Sequence, residues 1–383
     1  MNLHSGFKIK GDIDFNKFSP NNNIVIAASN SSARGKRNAN YICDGVDDQV
    51  DIYTAVYSLG AVGGKVILLE GTFNLSSYLA IGYFGNLILE GQGDATVLNL
   101  NTVTDFCAIY NTGERSVLRN FKIVITNIAA DGMAIYERNG GTDCIFENIT
   151  IDGGNVAVSG IHQGTGYGII RNITIKNCRI SNIAPETWHD RGAIWLMNVT
   201  EHAIIEGNTI NNVDNAIKLR GDKSIIVNNV IKTVSNIGIW LQPGVNLSDN
   251  KYVVLNNFID SAKWGIHLDQ TFCSIVKGNN IRNCLREGIT LYRGDNNVVT
   301  DNYLLDNGQE IGFAQITLND AVIQSIVSGN QIISTDGKAN YGVYEQSNDD
   351  YNIYIGNYVK GHSAGQIHIE GINSIKEHNV ELA

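Results

Sequence analysis

Apolar and polar positions alternate in short bursts along most of this chain. In GIHLD (residues 265–269), Ile266 and Leu268 alternate with His267 and Asp269. A period of two is that of a strand, with one set of side chains facing a core and the other facing out. The burst recurs as AIWLM at 193–197, AIKLR at 216–220, GIWLQ at 238–242 and GITLY at 288–292. Between such bursts runs a second pattern: a short apolar run, a small or polar residue, an Asn, one variable residue and an apolar residue. It reads AIIEGNTI, SIIVNNVI, YVVLNNFI, SIVKGNNI, NVVTDNYL, SIVSGNQI, NIYIGNYV and SIKEHNV. Aligned on this pattern, the Asn falls at Asn208, Asn229, Asn257, Asn280, Asn302, Asn330, Asn357 and Asn379, in steps of 21, 28, 23, 22, 28, 27 and 22 residues. Repeats of this length are the signature of a solenoid. No helical run separates the strands of a unit. Each unit therefore predicts one coil of an all-β, single-stranded parallel β-helix, with the Asn amides stacked at one turn.

A solenoid is not limited by core diameter, so 383 residues are ordinary for it. Forty Gly against three Pro suit short strands joined by tight, left-handed turns. Residues 1–40 are polar and read as an N-terminal arm or attachment segment, and 41–383 as the β-helix domain. At about 47–59, Asp47 or Asp48 can cap a helix whose face holds Val50, Tyr53, Val56 and Tyr57. Such a helix would cover the open end of the solenoid, with coils beginning near residue 65.

The stretch DGVDDQVDIYTAVYSLGAVGGKVILLEGTFNL, continued by LILEGQGDATVL, resembles the N-terminal cap and first coils of the pectate-lyase-like right-handed β-helix superfamily. With the repeats, the resemblance covers about residues 41–383. It implies a right-handed β-helix and a carbohydrate-active protein: a polysaccharide lyase, a mannuronan C5-epimerase, a glycoside hydrolase, or a phage tailspike that binds or cuts glycans. One fold hosts all of these, so the residues must decide.

Stacking the bursts places their third and fifth positions on one outward strip: Trp195 and Met197, Lys218 and Arg220, Trp240 and Gln242, His267 and Asp269, Thr290 and Tyr292, with Arg293 next. At about 4.8 Å per coil the strip is roughly 20 Å long. Aromatic rings offer stacking faces to sugars, and the mixed charge suits a linear polysaccharide. The adjoining stretch CRISNIAPETWHDRG breaks the repeat and carries Trp188, His189, Asp190 and Arg191. An insertion in a solenoid becomes a loop on one face, here expected beside the strip. WGIHLD resembles the epimerase motif in which Tyr-Gly-Phe precedes Asp-Pro-His. Trp264 stands at the Tyr, and His267 and Asp269 occur in reversed order.

Removing the C5 proton of a uronate requires a cation or metal to neutralise the carboxylate, a base, and an acid for the leaving oxygen. Lys218, Arg220 or Arg293 can serve as the cation, and His267 or Tyr292 as base and acid. Asp269 is expected to orient His267 and raise its pKa. The expected function is thus an enzyme acting on a linear acidic polysaccharide by β-elimination or C5-epimerisation. The alternatives are a glycoside hydrolase, for which Asp269 would need Asp190 or Glu186 as a second carboxylate, and a phage tail protein that binds or depolymerises glycans. No linear motif marks a cofactor, although Ca²⁺ held by acids from separate coils is compatible with the fold.

A net charge of −10 excludes general attraction to nucleic acid. No apolar run is long enough for membrane insertion, and no signal peptide is visible at the start. The expected location is extracellular or at a virion surface, as a monomer, or as a homotrimer if it is a phage tail protein. The six cysteines form no CxxC pair and read as buried free thiols.

Overall fold

The computed structural model describes residues 23–82, 85–137, 142–164, 171–184, 191–244 and 251–382, without the side chains of 198–200. It divides into two compact units, Met1–Thr209 and Ile210–Ala383.

The first unit starts earlier than its sequence patterning implies. Asn23–Ala27 is a strand, parallel to Tyr41–Ile42 on one side and Gly64–Leu68 on the other. Asn23–Ala27 is therefore part of the β-structure, and a short helix, Ala33–Asn38, follows it; residues 1–22 lie outside the described ones. The capping helix is Asp48–Ser58. Asp47 precedes it in a left-handed conformation (φ 53°) and makes no side-chain cap. Asp48 is buried and accepts hydrogen bonds from the Gly45 N–H at 2.9 Å and the Asn74 N–H at 2.7 Å. This anchorage turns the helix away from its most apolar face. Ile52, Ala55 and Val56 pack inward, while Val50, Tyr53 and Tyr57 are exposed, against the expectation for those three. Beyond the cap, three parallel sheets are built coil by coil. One of them runs Gly64–Leu68, Leu87–Glu90, Val117–Arg119, Ile145–Glu147 and Thr174–Lys176 in register.

In the second unit each coil contributes one strand to each of three parallel sheets. The sheet that carries the candidate site residues contains Ile217–Asp222, Ile237–Pro243, Trp264–Asp269, Ile289–Tyr292, Ala314–Asn319, Tyr341–Glu345 and Gly365–Ile369. Ile217, Ile239, Ile266, Ile289, Ile316, Val343 and Ile367 form one inward column. Leu219, Leu241, Leu268, Leu291 and Leu318 form the next, and all are buried. The Gly that opens the bursts has a steric reason: a Cβ on Gly265 would lie 2.3 Å from the Gly288 carbonyl oxygen.

The Asn ladder is present, with one change of member. Asn229 donates to Asn257 at 2.9 Å, Asn257 to Asn279 at 3.0 Å and Asn279 to Asn302 at 3.0 Å. It continues from Asn302 to Asn330, Asn330 to Asn357 and Asn357 to Asn379, each at 2.9 Å. Asn279 fills the place assigned by sequence to Asn280. The reason is the residue before each rung, which is left-handed: Asn228, Asn256, Gly278, Asp301, Gly329, Gly356 and His378. Gly278 takes that conformation, so Asn279 turns inward and Asn280 begins the next strand. In the first unit, Asn208 accepts from the Cys178 N–H and donates to the Ile175 carbonyl.

Cys43, Cys107, Cys144, Cys178 and Cys284 are buried free thiols, as expected; Cys273 is exposed.

Candidate functional site

The outward face of this sheet of the second unit carries two columns. Register places Lys218, Trp240, His267, Thr290, Thr317, Tyr344 and His368 in the first. Arg220 pairs with Gln242, and Asp269, Tyr292 and Asn319 stand opposite one another in the second. The alternation read from the sequence thus assembles Trp240, His267, Asp269, Tyr292 and Arg293 on one surface.

His267 is the centre of this group. Its ring meets Trp240 edge-on, with centroids 6.2 Å apart, and stacks against Tyr292 at 6.3 Å and 28°. Between these rings the imidazolium is poorly solvated, which lowers the His267 pKa; the Asp269 charge opposes the shift without reversing it. This corrects the expectation of a raised value. The Asp269 carboxylate receives the Gln242 and Gln270 amides, each at 3.3 Å. Tyr292 moves the other way. Asp320 lies in hydrogen-bonding reach of its hydroxyl and raises its pKa. The same Asp320 pairs with Arg293, whose guanidinium lies 4.9 Å from the Tyr292 ring centroid. The site therefore holds a neutral imidazole beside a phenol that keeps its proton.

The cations differ in their access. Lys218 is 1% exposed, with Nζ 3.9 Å from the Trp240 ring centroid. It packs under Trp240 rather than on the open face, so the carboxylate-neutralising role read for it from sequence does not fit its burial. Arg220 is exposed; its Nε donates to the Pro243 carbonyl at 3.1 Å.

In the first unit Trp195 is 6% exposed, not solvent-facing as expected. It meets His162 edge-on at 4.1 Å, and burial pushes the His162 pKa down to about 3. Arg191 donates to the Asp131 carbonyl at 2.8 Å and lies 5.6 Å from the Trp195 ring centroid. Trp188, His189 and Asp190 lie outside the described residues.

Two further groups lie outside the outward strip expected from the sequence. On the first unit, Tyr78, Phe106, Tyr110 and Tyr136 form a chain of ring contacts at 5.4–6.3 Å. The bursts CAIYN and MAIYE, at 107–111 and 133–137, carry the same alternation and mark the two Tyr strands. On the second unit, Tyr341, Tyr344 and His368 stack together, and Tyr344 donates to Glu370 at 3.0 Å. Among the described residues, the one trio of ligand-type side chains gathered within 4.8 Å is Cys43, Asp48 and Asp51. Burial and the neighbouring acids push the Cys43 thiol far up, which disfavours the thiolate a metal would need.

Residues 192–380 match the protein family described as "Right handed beta helix region". With the parallel solenoid, this match over just under half of the chain shows the right-handed parallel β-helix fold. Its fold is similar to that of the Azotobacter vinelandii mannuronan C-5 epimerase AlgE6 A-module, with a TM-score of 0.69 and 18% identity over 88% of this chain and 96% of that one. It is similar to the Dettilon tailspike protein, with a TM-score of 0.57 and 18% identity over 85% of this chain and 66% of that one. It is also similar to the catalytic unit of a GH87 α-1,3-glucanase from Streptomyces thermodiastaticus, with a TM-score of 0.55 and 13% identity over 87% of this chain and 65% of that one. At these identities the likeness is one of fold. No curated protein matches the sequence. Among the described residues no helix is long and apolar enough to cross a membrane.

Proposed function

We propose that the protein is a carbohydrate-active enzyme that cleaves a linear, uronate-containing polysaccharide by β-elimination, with its centre at His267 and Tyr292. The observation that carries this reading is the opposed tuning of two neighbours: His267 is held neutral by burial and Tyr292 is held protonated by Asp320. His267 takes the proton from C5 as the C5–H electrons form the C4=C5 bond. The C4–O bond breaks, and Tyr292 protonates the departing oxygen. Arg293, fixed by Asp320, and Arg220 supply the positive charge that the carboxylate needs as negative charge grows on it. Proton exchange with water resets the two residues.

Base and acid rise from adjacent coils on one face of one sheet. They address one face of the sugar ring, which suits elimination. Epimerisation needs a proton returned to the opposite face. A polysaccharide substrate implies work outside a cell or at a virion surface.

The test is His267→Ala and Tyr292→Phe on a uronate polymer, followed by absorbance near 230–240 nm, where unsaturated products absorb. Each variant is expected to lose about 10²–10⁴ in turnover, the usual contribution of general acid–base catalysis, with an unchanged thermal melt. Full activity in both variants rules out this centre.

A further inference from the structure

We propose that the cleft at the later coils of the same sheet face is a subsite for an uncharged sugar ring, so that the substrate is a mixed polymer in which uronates alternate or intersperse with neutral residues. The mixed-polymer conclusion rests on the uronate chemistry proposed for His267; the neutral-sugar site itself does not.

The cleft has a volume of about 440 Å³, within the range of sites that hold small ligands. One wall is a stack of three rings. Tyr341 and Tyr344 lie 5.5 Å apart and 20° from parallel, and His368 lies 4.9 Å from Tyr341 and 5.5 Å from Tyr344. Such a stack presents an apolar edge and face of the kind that sugar C–H groups cover. At its rim Glu370 accepts from the Tyr344 hydroxyl at 3.0 Å and pairs with His368 Nε2 at 3.1 Å. Glu370 is exposed, so it retains acceptor capacity for sugar hydroxyls.

Charge decides which sugar fits. Glu287 and Glu370 line the cleft, and among the described residues no Lys or Arg does. Arg286 is not among the lining residues: its guanidinium lies 4.7 Å from the ring centroids of Trp264 and of the lining Phe313, and its charge is met by Glu310 at 2.9 Å. The Glu287 Oε2 is buried and has no partner among the described residues. Burial raises the pKa of this carboxyl, which favours the form that can donate to a sugar oxygen. A uronate carboxylate in this cleft meets the Glu370 carboxylate, while the neighbouring Arg286 is already paired with Glu310. A neutral ring meets a stacking wall, a donor and an acceptor. The contrast with the His267 centre, where Arg220 and Arg293 stand, lies along one face of one sheet.

The experiment titrates the full chain with tetramers of glucose, mannose and N-acetylglucosamine, and with a galacturonate tetramer, by calorimetry. At least one neutral tetramer is expected to bind. Tyr344→Ala and Glu370→Lys are each expected to weaken it about tenfold, a loss of about 1.4 kcal/mol. Glu370→Lys is expected to strengthen galacturonate binding, and its exposed position makes it a safe change for folding. His267→Ala is expected to leave the neutral affinity unchanged. The proposal is overturned if no neutral tetramer binds, if the two cleft variants bind it like wild type, or if Tyr344→Ala weakens galacturonate instead. An inactive His267 centre with these results intact overturns the elimination reading and leaves the cleft standing.

Discussion

Replacing Asn302 with Ala should remove a keystone of the second unit. Asn302 Oδ1 accepts from the Asn279 backbone N–H at 2.9 Å and from the Asn279 amide at 3.0 Å. Its Nδ2 donates to the Val276 carbonyl at 3.0 Å and to Asn330 Oδ1 at 2.9 Å. All of this is out of water, since Asn302 is 1% exposed. Alanine keeps the backbone bond from the Asn302 N–H to Asn330 but deletes the other four. Stranding the Asn279 N–H costs about 1–3 kcal/mol, and each of the other lost bonds about 0.5–1.5 kcal/mol. Allowing for relaxation, the loss should be about 3–5 kcal/mol, a large share of a domain's typical stability of about 5–15 kcal/mol. Guanidinium unfolding followed by circular dichroism measures the difference. Asn280→Ala is the control: Asn280 Oδ1 has no partner among the described residues, and the change should cost under about 1 kcal/mol. A loss under about 1 kcal/mol for Asn302→Ala, or equal losses for both variants, refutes the ladder as a source of stability.

The pH dependence of kcat/KM should show an acid limb below the ordinary histidine value of 6.5 and no alkaline limb until above 10, because His267 is lowered and Tyr292 raised; a limb near neutral pH contradicts these assignments. Trp240→Ala should raise KM more than it lowers kcat, since stacking serves ground and transition state alike, and steady-state kinetics on one polymer separate the two. Asp349 is buried and its pKa is pushed up to about 6, from an ordinary 3.8. The folded state therefore holds more protons than the unfolded one across that window, and stability should fall by about 2 kcal/mol as pH rises through it. Asp349→Asn should flatten that slope in denaturant titrations at pH 4, 5, 6 and 7.

The architecture was legible because a solenoid writes its fold as a repeat. Ile266 and Leu268 show the inward face, and the recurrence of their pattern shows the parallel stacking. The Asn279 rung has its own signal in the sequence: EGN, SGN and IGN place a Gly before the rung, and KGN in the fourth unit does the same at Gly278–Asn279. The outward positions were legible as positions but not as environments. Alternation puts Lys218 and Trp195 outside the coil, yet it cannot report what packs over them, and both are buried. The lowered His267 pKa is hidden from the sequence for the same reason. Asp269 is visible two residues away, whereas the desolvation by Trp240 and Tyr292 arises only when coils stack. The Tyr341–Tyr344–His368 cleft needed three dimensions, since its members come from two coils and differ from the Trp-rich bursts in residue type. The inward face of the helix departs from the apolar pattern because a polar residue, Asp48, anchors it.

The central claim is elimination at His267 and Tyr292. Its most direct measurement is wild-type protein incubated with a panel of uronate-containing polysaccharides, with absorbance near 230–240 nm and reducing ends recorded together. The account predicts that both signals rise in step on at least one polymer, because each elimination creates one double bond and one new end. Reducing ends without absorbance on such a polymer contradict elimination and identify hydrolysis; exchange of the C5 proton with solvent, without either signal, identifies epimerisation.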